Sequence, residues 1–508
     1  MKKNKIIPFI NLEKKIKDLK KNKKKIVLCH GVFDLLHPGH FKHFKTAKNY
    51  GDILIVSVTA DNFVNKGPDR PAFNEKLRLE SLISLSDIDF VVLSNFATAK
   101  KIIKVIKPNF YCKGPDYKNH TNDASGEIIN ETKEVKKYGG KIIYTEDENF
   151  SSSNLINKYL LKNENQTKLL LKKVKKKYDS NKIKNAISSF DNIKILIIGE
   201  TIIDKYIFSE ALGKSGKEPI LVLRDLSSEE YVGGAAAIAR HISNFNNKIS
   251  LLSMIGEKKE YLNFIKKKLR KNVKLFYLEK KGSPTIVKTR FIDNVSKNKV
   301  FGSDKLNDEL LDSRQENDFN RKLKKIVPKF DLVIVSDYGH GFISKNSAQI
   351  ICKYSKFLAL NAQVNAANIG YHTMRNYKNI DCVIINEKEL RHELRDKNSK
   401  TEKLQKELSN KQNIKNLIVT KGSQGSILYA KNFDKFIYAP AFSNKVVDKV
   451  GAGDTMLSII SMCINKKLDL NLSLLIASIA AAESVKKIGN KFSTNKINLI
   501  KSLEAIIK

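Results

Sequence analysis

The sequence predicts an α/β protein made of two consecutive domains, each built on a parallel sheet that is covered by helices. At 508 residues, the chain exceeds the size of one ordinary hydrophobic core. Short apolar runs alternate with amphipathic stretches through both halves, as they do in repeated βαβ units. Each half also has its own glycine-containing turn directly before a helix, an arrangement that is typical of phosphate binding.

The first domain is assigned to residues 1–160. Five apolar runs in it have the length and composition of buried parallel strands, at 26–29, 53–58, 90–93, 110–112 and 141–144. The first 24 residues are lysine-rich, and we expect them to form a helix packed on this domain.

The second domain is assigned to residues 191–508. Its apolar runs include 195–198, 332–335, 382–385 and 417–420. Residues 161–190 lie between the domains, are rich in Lys and Asn and contain no Gly or Pro, which predicts a charged helical connector. The two halves share no motif, so the pattern indicates a fusion of different domains.

The formal net charge of +40 raises the alternative of a nucleic-acid-binding protein. However, the lysines are spread along the whole chain, and no basic motif is interleaved with aromatic residues. We therefore expect no specific nucleic-acid partner. The five cysteines are scattered, which indicates reduced thiols. No signal peptide and no membrane-spanning run is recognised, so a cytoplasmic protein without a membrane partner is expected.

The first glycine-containing turn reads GVFDLLHPGH over residues 31–40 and lies between a predicted strand and a predicted helix. Unpaired N–H groups at a helix N-terminus form an anion site. His37 and His40 are three residues apart, so both imidazoles point toward one ligand. Their N–H groups are suited to stabilising a triphosphate under nucleophilic attack, and Lys42 adds positive charge.

This string resembles the HxGH motif of the cytidylyltransferase-like nucleotidyltransferases, which have a Rossmann-like fold. The stretches 51–56, 70–78, 113–117 and 150–156 are similar to the adenylyltransferase half of the bifunctional heptose kinase/adenylyltransferase family. The resemblance implies that a sugar 1-phosphate attacks the α-phosphorus of ATP or CTP and releases pyrophosphate, with His37, His40 and Lys42 as catalytic residues. It implies nucleotide or phosphate contacts for Gly31, Phe33, Asp34, Gly39, Ser151, Ser152 and Ser153. For the three serines alone, a structural helix cap is the alternative.

The second glycine-containing turn reads DKVGAGD over residues 448–454, before an apolar helical stretch. The N–H groups of Gly451, Ala452 and Gly453 are suited to binding a transferring phosphoryl group. Asp454 is placed to accept the proton of a sugar hydroxyl. A capping aspartate is the structural alternative, and only more distant residues decide between the two.

Those distant residues make the region 190–500 resemble the ribokinase-like sugar kinases of the PfkB family. The similar strings are GETIIDKY at 199–206, GGAAA at 233–237, NEKE at 386–389 and VTKGSQG at 419–425. The resemblance implies that Asp454 is the base, that residues 451–453 form the anion hole, and that Mg²⁺ and ATP are required. It implies nucleotide contacts for Lys421 and Gly422, sugar contacts for Asp204, Gly233, Gly234, Asn386 and Glu389, and an indirect role for Glu389 toward magnesium. It also implies a small β lid near 207–231 through which a homodimer forms.

Three features depart from the bifunctional heptose family. The kinase region comes second instead of first, Glu200 replaces a common Asp, and the amide-rich stretch 360–368 replaces an expected Asp-Pro-Lys. These amides either contact different sugar hydroxyls or belong to an ordinary polar loop.

The sequence therefore predicts a bifunctional sugar-phosphate kinase and sugar 1-phosphate nucleotidyltransferase, whose small-molecule partners are sugar phosphates and nucleotides. The expected product is ADP-heptose or a close analogue for surface glycan (lipopolysaccharide) synthesis. The alternative is an active nucleotidyltransferase that acts on glycerol phosphate or another small phosphate, with a kinase-like domain that only binds or regulates. The identity of the sugar, the choice between ATP and CTP in the first domain, and the oligomeric state stay open.

Overall fold

The computed structural model describes residues 5–117, 127–145, 164–364, 368–443, 445–491 and 493–507. The chain divides into two compact units. Unit 1 consists of Met1–Glu164 and Ile497–Lys508, and unit 2 consists of Asn165–Lys496. Each unit has its own largely parallel sheet with helices between the strands, which confirms the predicted α/β class.

Unit 1 alternates strands and helices in the order expected for a doubly wound sheet. Its elements are α1 (Phe9–Lys21), β1 (Ile26–Gly31), α2 (Pro38–Lys48), β2 (Ile53–Thr59), α3 (Glu75–Ile83), β3 (Phe90–Ser94), α4 (Lys100–Ile106), β4 (Phe110–Lys113), α5 (Glu127–Lys137) and β5 (Lys141–Tyr144). The strand order is β3-β2-β1-β4-β5, and every pair is parallel. The order reverses between β1 and β4, and such a switch point is where open α/β sheets bind ligands.

Strand β1 is buried on both faces, as its continuous apolar run predicts. Ile26 and Leu28 pack into a core with Leu12 of α1. Val27 and Cys29, which point to the other face, pack into a second core with Phe44 of α2. The two cores hold the C-terminal end of β1, and hence the turn after it, between helices.

Unit 2 has a larger sheet and a smaller one. Its strands are β6 (Ile195–Gly199), β7 (Thr201–Lys214), β8 (Leu221–Gly234), β9 (Ile249–Gly256), β10 (Val273–Lys280), β11 (Ile286–Asp293), β12 (Lys299–Lys305), β13 (Leu332–Asp337), β14 (Leu358–Ala362), β15 (Ile380–Asn386), β16 (Ile414–Thr420), β17 (Ser426–Ala430) and β18 (Lys435–Ala439). The larger sheet has the order β10-β9-β6-β13-β14-β15-β16-β17-β18 and is parallel except at β17 and β18.

The helices after α5 lie in unit 2, apart from the last one, which lies in the C-terminal segment of unit 1. They are α6 (Glu164–Lys177), α7 (Ser180–Ser188), α8 (Ala235–Ile242), α9 (Leu262–Lys268), α10 (Ser313–Ile326), α11 (Lys345–Tyr354), α12 (Glu387–Leu394), α13 (Thr401–Gln412), α14 (Ala452–Asn465), α15 (Leu470–Ser484) and α16 (Lys496–Ile507). Among the helices of the described ranges, none combines the length and hydropathy needed to cross a membrane. All five cysteines are free thiols.

The smaller sheet of unit 2 is the lid, and it has the order β12-β11-β7-β8. The long hairpin of β7 and β8 contains the stretch 207–231 in which the lid was predicted. Two later strands join it: β11 pairs with β7 in parallel, and β12 pairs with β11 in antiparallel orientation. The sequence prediction missed both strands, because local patterns do not show which distant segment extends a hairpin.

Candidate active sites

The HxGH histidines lie together at the start of α2, beside the switch point of the unit 1 sheet. His37 is the N-cap residue of the helix, and His40 lies in its first turn. Their rings stack with centroids 3.9 Å apart and an interplanar angle of 29°. The Nδ1 atom of His40 is buried and has no hydrogen-bond partner within the described part of the chain. An unsatisfied buried ring nitrogen fits a site that binds a polar ligand.

Both imidazoles are held in the neutral form. Burial, followed by the positive charge of Lys66, lowers the pKa of His37. Burial, followed by charge on His37, Lys66 and His43, lowers the pKa of His40 to about 3. A neutral imidazole keeps one N–H donor, so the pair offers directed hydrogen bonds in the free protein. Lys66 was missed at the sequence level, because it lies in a loop outside the motif.

The turn between β1 and α2 is held by residues for which nucleotide contact was predicted. Phe33 has a φ of 49°, in the left-handed region. A Cβ on Gly31 would lie 3.0 Å from the Phe33 ring, so this glycine lets the ring fold back over the strand end. The Asp34 carboxylate accepts hydrogen bonds from the backbone N–H groups of Ala72 and Phe73, at 2.8 and 2.9 Å. Asp34 thereby ties the turn to the next loop.

A buried arginine in α3 completes this scaffold. Arg78 is 1% exposed. Its guanidinium donates to the carbonyls of Val32 and Phe73, at 2.6 and 3.0 Å, and to the Asp61 carboxylate at 2.6 Å. Arg78 lies in the stretch 70–78 that is similar to the heptose family, but the sequence predicts no role for it. An arginine one turn after the Asn74 N-cap is an ordinary surface pattern, and only the fold shows that it points inward.

The remaining predicted residues of the first site fall into three groups. Gly39 lies in the first turn of α2, between the two histidines. Lys42 is exposed on the same helix. Ser151, Ser152 and Ser153 lie outside the described residues.

The end of β4, on the other side of the switch point, carries a buried ion pair. Lys113 Nζ lies 3.0 Å from Glu131 Oε2, and both side chains are almost fully buried. The Tyr111 hydroxyl donates to the same carboxylate oxygen at 2.9 Å. Despite its burial, the pKa of Lys113 is raised by Tyr111 and Glu131. The charged pair fixes the edge of the crevice next to His30, whose pKa is lowered to about 4 by burial and by Lys113.

In unit 2, Asp454 lies in the first turn of α14 and is buried. The Tyr338 hydroxyl donates to its two carboxylate oxygens, at 3.0 and 3.1 Å. Burial raises the pKa of Asp454, the Tyr338 hydrogen bond lowers it and Asp204 raises it, and together they bring it to about 7. A carboxyl group with a pKa near neutrality is suited to accepting a proton at physiological pH.

The glycine turn before α14 is shaped for a close approach of another group. Gly451 has a φ of +83°, and a Cβ there would lie 2.4 Å from the Asn490 side-chain oxygen. A Cβ on Gly453 would meet no protein atom within 4 Å, so open space borders the helix start. The first N–H groups of α14 lack intrahelical partners, as they do at any helix start, so this turn is suited to binding an anion.

The Asp204 carboxylate is fixed by residues distant in sequence. It accepts hydrogen bonds from Arg290 Nη1 and from Asn490 Nδ2, both at 2.7 Å. A Cβ on Gly233 would lie 2.2 Å from Asp204 Oδ2, so only glycine leaves room for this carboxylate. Gly234 has a φ of +60°, and a Cβ there would lie 2.3 Å from the Glu200 carbonyl. The two predicted glycines therefore serve the placement of Asp204 and of the strand beside it.

A second fixed carboxylate, Asp448, lies at the start of the glycine turn 448–454 that precedes α14. It accepts hydrogen bonds from Tyr206 at 3.1 Å, from the backbone N–H of Gly489 at 2.9 Å and from Lys299 at 2.6 Å. The sequence prediction missed the contributions of Arg290, Lys299 and Asn490. Residue type alone does not identify a lysine or an arginine as part of a site in a chain with so many of them.

Asn386 and Glu389 form a capping box at the start of α12. The Asn386 side chain accepts the Glu389 N–H at 2.8 Å, and Glu389 Oε2 accepts the Asn386 N–H at 2.9 Å. Burial raises the pKa of Glu389 to about 7. Lys421 Nζ lies 3.7 Å from Glu387 of the same helix, and Gly422 follows with a φ of +58°. In the described ranges, no cluster of three His, Cys, Asp or Glu side chains is arranged to hold a metal ion.

The departures noted in the sequence have structural roles. The Asn361 side chain donates to the Ile384 carbonyl, and the Asn368 side chain donates to the Tyr338 carbonyl. Both amides are thus bonded to backbone. Glu200 is fully buried and accepts the N–H groups of Tyr338 and His340. Burial, and then Asp337, raises the pKa of Glu200 to about 7. These contacts fix the backbone around Tyr338, whose hydroxyl reaches Asp454.

A family model described as pfkB family carbohydrate kinase matches residues 192–497, more than half of the chain. The chain belongs to the pfkB family of carbohydrate kinases. A second model, described as Cytidylyltransferase-like, matches residues 28–158 of this pfkB-family chain. The two matches confirm the predicted pair of domain types and their order, with the transferase-like region first.

Curated relatives of this pfkB-family chain are named Bifunctional protein HldE. The one from Helicobacter pylori (strain J99) is 41% identical over 134 residues, which cover 26% of the chain and 28% of the relative. The one from Aliarcobacter butzleri is 41% identical over 136 residues, with coverages of 26% and 28%. The one from Campylobacter jejuni (strain RM1221) is 26% identical over 314 residues, with coverages of 61% and 65%. Each alignment spans less than two thirds of the relative.

Two solved structures align with the pfkB-family chain at low identity. A tetrameric form of phosphofructokinase-2 from Escherichia coli has a TM-score of 0.49 and 15% identity, and covers 61% of this chain and 99% of its own. Ribokinase from Thermotoga maritima has a TM-score of 0.46 and 16% identity, with coverages of 61% and 99%.

Proposed function

We propose that the chain is a bifunctional enzyme that phosphorylates the anomeric hydroxyl of a sugar phosphate and then joins a nucleotide to the product. The observation that carries this proposal is the presence of two separate helix-start sites, the stacked His37–His40 pair in unit 1 and the buried Asp454 in unit 2. The proposed product is ADP-heptose or a close analogue, as the resemblance to the heptose family implies. The name of the relatives supports two activities in one chain.

For the kinase reaction, Asp454 is the proposed base. Its carboxylate accepts the proton of the anomeric hydroxyl, and the hydroxyl oxygen attacks the γ-phosphorus of ATP while the bond to the β-phosphate oxygen breaks and ADP leaves. The N–H groups of residues 451–453 stabilise the charge on the transferring phosphoryl group. Asp204, fixed by Arg290 and Asn490, orients the sugar through its hydroxyls.

Magnesium bound with ATP supplies charge neutralisation at the β- and γ-phosphates. We propose that Glu389 supports it indirectly, since one of its carboxylate oxygens already accepts the Asn386 N–H. Lys421 and Gly422 are the proposed nucleotide contacts on the neighbouring turn.

For the transferase reaction, an oxygen of the sugar 1-phosphate attacks the α-phosphorus of ATP or CTP, and pyrophosphate leaves. No proton has to move, so positioning and charge stabilisation carry the catalysis. His37 and His40 offer neutral N–H donors for the triphosphate, and Lys66 and Lys42 add positive charge. Ser151, Ser152 and Ser153 remain proposed phosphate contacts.

We also propose assembly into a homodimer through the lid, because that sheet exposes the apolar side chains of Leu212, Leu221, Val300 and Phe301. A cytoplasmic location is proposed because both nucleotides are available there and the five cysteines are free thiols. Residues 161–190 are proposed to connect the two catalytic domains through α6 and α7.

The proposal is tested by incubating the protein with Mg-ATP, Mg-CTP and a panel of heptose, hexose and sedoheptulose phosphates, with products identified by mass spectrometry. Asp454→Asn is expected to abolish ATP-dependent phosphorylation but to spare transfer onto supplied sugar 1-phosphate. His40→Ala is expected to show the reverse. If wild-type protein phosphorylates no sugar but transfers a nucleotide to glycerol phosphate, a binding or regulatory role of unit 2 replaces the proposed kinase.

A further inference from the structure

Three lid strands place a group of charged side chains on one face. Lys288 of β11 is in register with Asp204 of β7 and with Asp304 of β12. Arg290, two residues along β11, ion-pairs with Asp204 at 2.7 Å. Residues in register on adjacent strands, and residues two apart on one strand, point to the same side of a sheet. Lys288 and Arg290 therefore lie on the face that carries the proposed sugar-binding carboxylate. The residue opposite Arg290 on β12 is Gly302, which adds no side chain there.

Three other cations of unit 2, Arg290, Lys299 and Lys280, already have partners. Arg290 is paired with Asp204, and Lys299 is paired with Asp448 at 2.6 Å. Lys280 donates to the carbonyls of Asn307 and His340. Each of these positive charges is bound to groups of the protein itself.

Lys288 differs from them. It is half-buried, yet its ammonium group forms neither an ion pair nor a side-chain hydrogen bond with any residue that the structure describes. Burial lowers its pKa, although Asp304, Asp204 and Glu200 favour its charged form. A half-buried ammonium without a partner is unfavourable, and an anionic ligand would supply the missing charge-assisted hydrogen bond.

The position of Lys288 relative to the base indicates which part of a ligand it meets. Asn490 connects Asp204 to the turn before α14, because its Nδ2 donates to Asp204 while its side-chain oxygen borders Gly451. Lys288 lies on the other side of this link, in register with Asp204 on the neighbouring strand β11. A sugar whose anomeric hydroxyl lies at Asp454, and whose ring hydroxyls meet Asp204, extends its far end toward β11. The transferring phosphoryl group, by contrast, is bound at the start of α14.

We propose that Lys288, supported by Arg290, binds the phosphate that the sugar substrate already carries, and thereby makes the kinase selective for sugar phosphates over free sugars. This inference rests on the proposed function of unit 2 and names a residue that sets its substrate class. The ligand chemistry is a phosphate monoester dianion at the end of the sugar opposite the reacting hydroxyl.

The test uses full-length Lys288→Met, with Lys305→Met as the matched control. Lys305 is an exposed lysine of β12 in register with Val287, so it lies on the opposite face of the lid. Isothermal titration calorimetry measures binding of heptose 7-phosphate, sedoheptulose 7-phosphate and fructose 6-phosphate, each beside its unphosphorylated sugar, with a non-hydrolysable ATP analogue present. Binding of the analogue alone is measured separately.

Wild-type protein is expected to bind at least one sugar phosphate more tightly than its free sugar. Lys288→Met should weaken that binding by about 10- to 100-fold, the usual range for losing a charged hydrogen bond. Affinities for the free sugar and the ATP analogue should not change, and Lys305→Met should resemble wild type. Equal wild-type affinity for phosphorylated and free sugars overturns the inference. Loss of affinity for the ATP analogue in Lys288→Met also overturns it, because the lysine would then face the nucleotide.

Turnover separates this inference from the function on which it rests. If the wild type binds sugar phosphates through Lys288 but transfers no phosphoryl group, the proposed kinase activity fails and the phosphate subsite stands. If the wild type phosphorylates sugar phosphates and Lys288→Met keeps the same KM for them, the subsite fails and the kinase stands.

Discussion

The Tyr338 hydroxyl donates one bifurcated hydrogen bond to the two carboxylate oxygens of Asp454. The donor stabilises the charged carboxylate, whereas burial stabilises the neutral acid, and the pKa of Asp454 is raised to about 7. Asp454, the proposed base, is thus partly deprotonated at neutral pH. Burial has the largest effect on this pKa, and the hydroxyl that residue 338 brings to the helix start opposes it.

Tyr338→Phe should shift the pH dependence of sugar phosphorylation. In the wild type, kcat/KM should rise with pH through about 7, because only the carboxylate of Asp454 accepts the proton. Removing the hydroxyl removes a group that lowers this pKa, so the rise should move to higher pH. A shift of one pKa unit would reduce kcat/KM several-fold near pH 7, where roughly a tenth of the base would stay deprotonated. The measurement is the pH profile of ATP-dependent kcat/KM.

Tyr377→Phe is the matched control for this shift. Tyr377 is another buried tyrosine of the same unit, but its hydroxyl donates to Asp337 at 2.7 Å instead of to Asp454. Its removal should leave the midpoint of the profile unchanged. A profile of Tyr338→Phe that stays in place, or moves to lower pH, would contradict the assigned role of the hydroxyl.

The kcat/KM of nucleotide transfer should not change through titration of the two histidines between about pH 7 and 9, whereas the kcat/KM of sugar phosphorylation should change near pH 7. The pKa of His37 is lowered, and that of His40 is lowered to about 3, so neither imidazole of the free protein titrates between about pH 7 and 9. The kcat/KM for pyrophosphate release should show no step from these groups in that range. His40→Ala should reduce pyrophosphate release by roughly 100- to 1,000-fold through loss of a donor to the transition state. Kinase activity of the same variant serves as the internal control, and its loss would argue against independent sites.

Much of the scaffold could be predicted because it depends on local patterns. The buried strand predicted at 26–29 is β1 (Ile26–Gly31), since a continuous apolar run bounded by a glycine turn needs no long-range information. The partners of Asp204 could not be predicted in the same way. Asn490 lies 286 residues from Asp204 in the sequence, and Arg290 lies 86 residues from it. Arg290 reaches Asp204 because β11 pairs with β7, and neither contact follows from a local sequence pattern. Lysine and arginine are so abundant here that their type alone marks no site.

Gly233→Ala should impair sugar binding through Asp204. The added methyl would lie 2.2 Å from Asp204 Oδ2, so the carboxylate must move and weaken its bonds to Arg290 and Asn490. We expect KM for the sugar substrate to rise at least about tenfold, and the free energy of unfolding to fall by about 1–3 kcal/mol from overpacking. Steady-state kinetics measure the first effect, and hydrogen exchange by mass spectrometry over β7 and β8 measures the second, because the chain has two units. Gly216→Ala is the control, because its added methyl would meet nothing within 4 Å and its backbone is not in the left-handed region.

Glu131→Gln should destabilise unit 1 through the charge that it leaves behind. Lys113 and Glu131 form a buried pair at 3.0 Å, and removing one partner strands the other in a low-dielectric environment. The expected loss in the free energy of unfolding is about 3 kcal/mol. Because the chain has two units, whole-chain denaturation is not a two-state measurement. Hydrogen exchange by mass spectrometry over β4 isolates the effect.

The exposed ion pair of Glu13 and Lys17 is the control for this measurement. Their side chains are 69% and 71% exposed and 3.1 Å apart. Glu13→Gln makes the same chemical change in solvent, where an ion pair contributes at most about 0.5 kcal/mol. Exchange over β4 should therefore accelerate in Glu131→Gln and stay at the wild-type rate in Glu13→Gln. Equal exchange rates in the two variants would contradict the prediction that the buried Lys113 charge is unfavourable without Glu131.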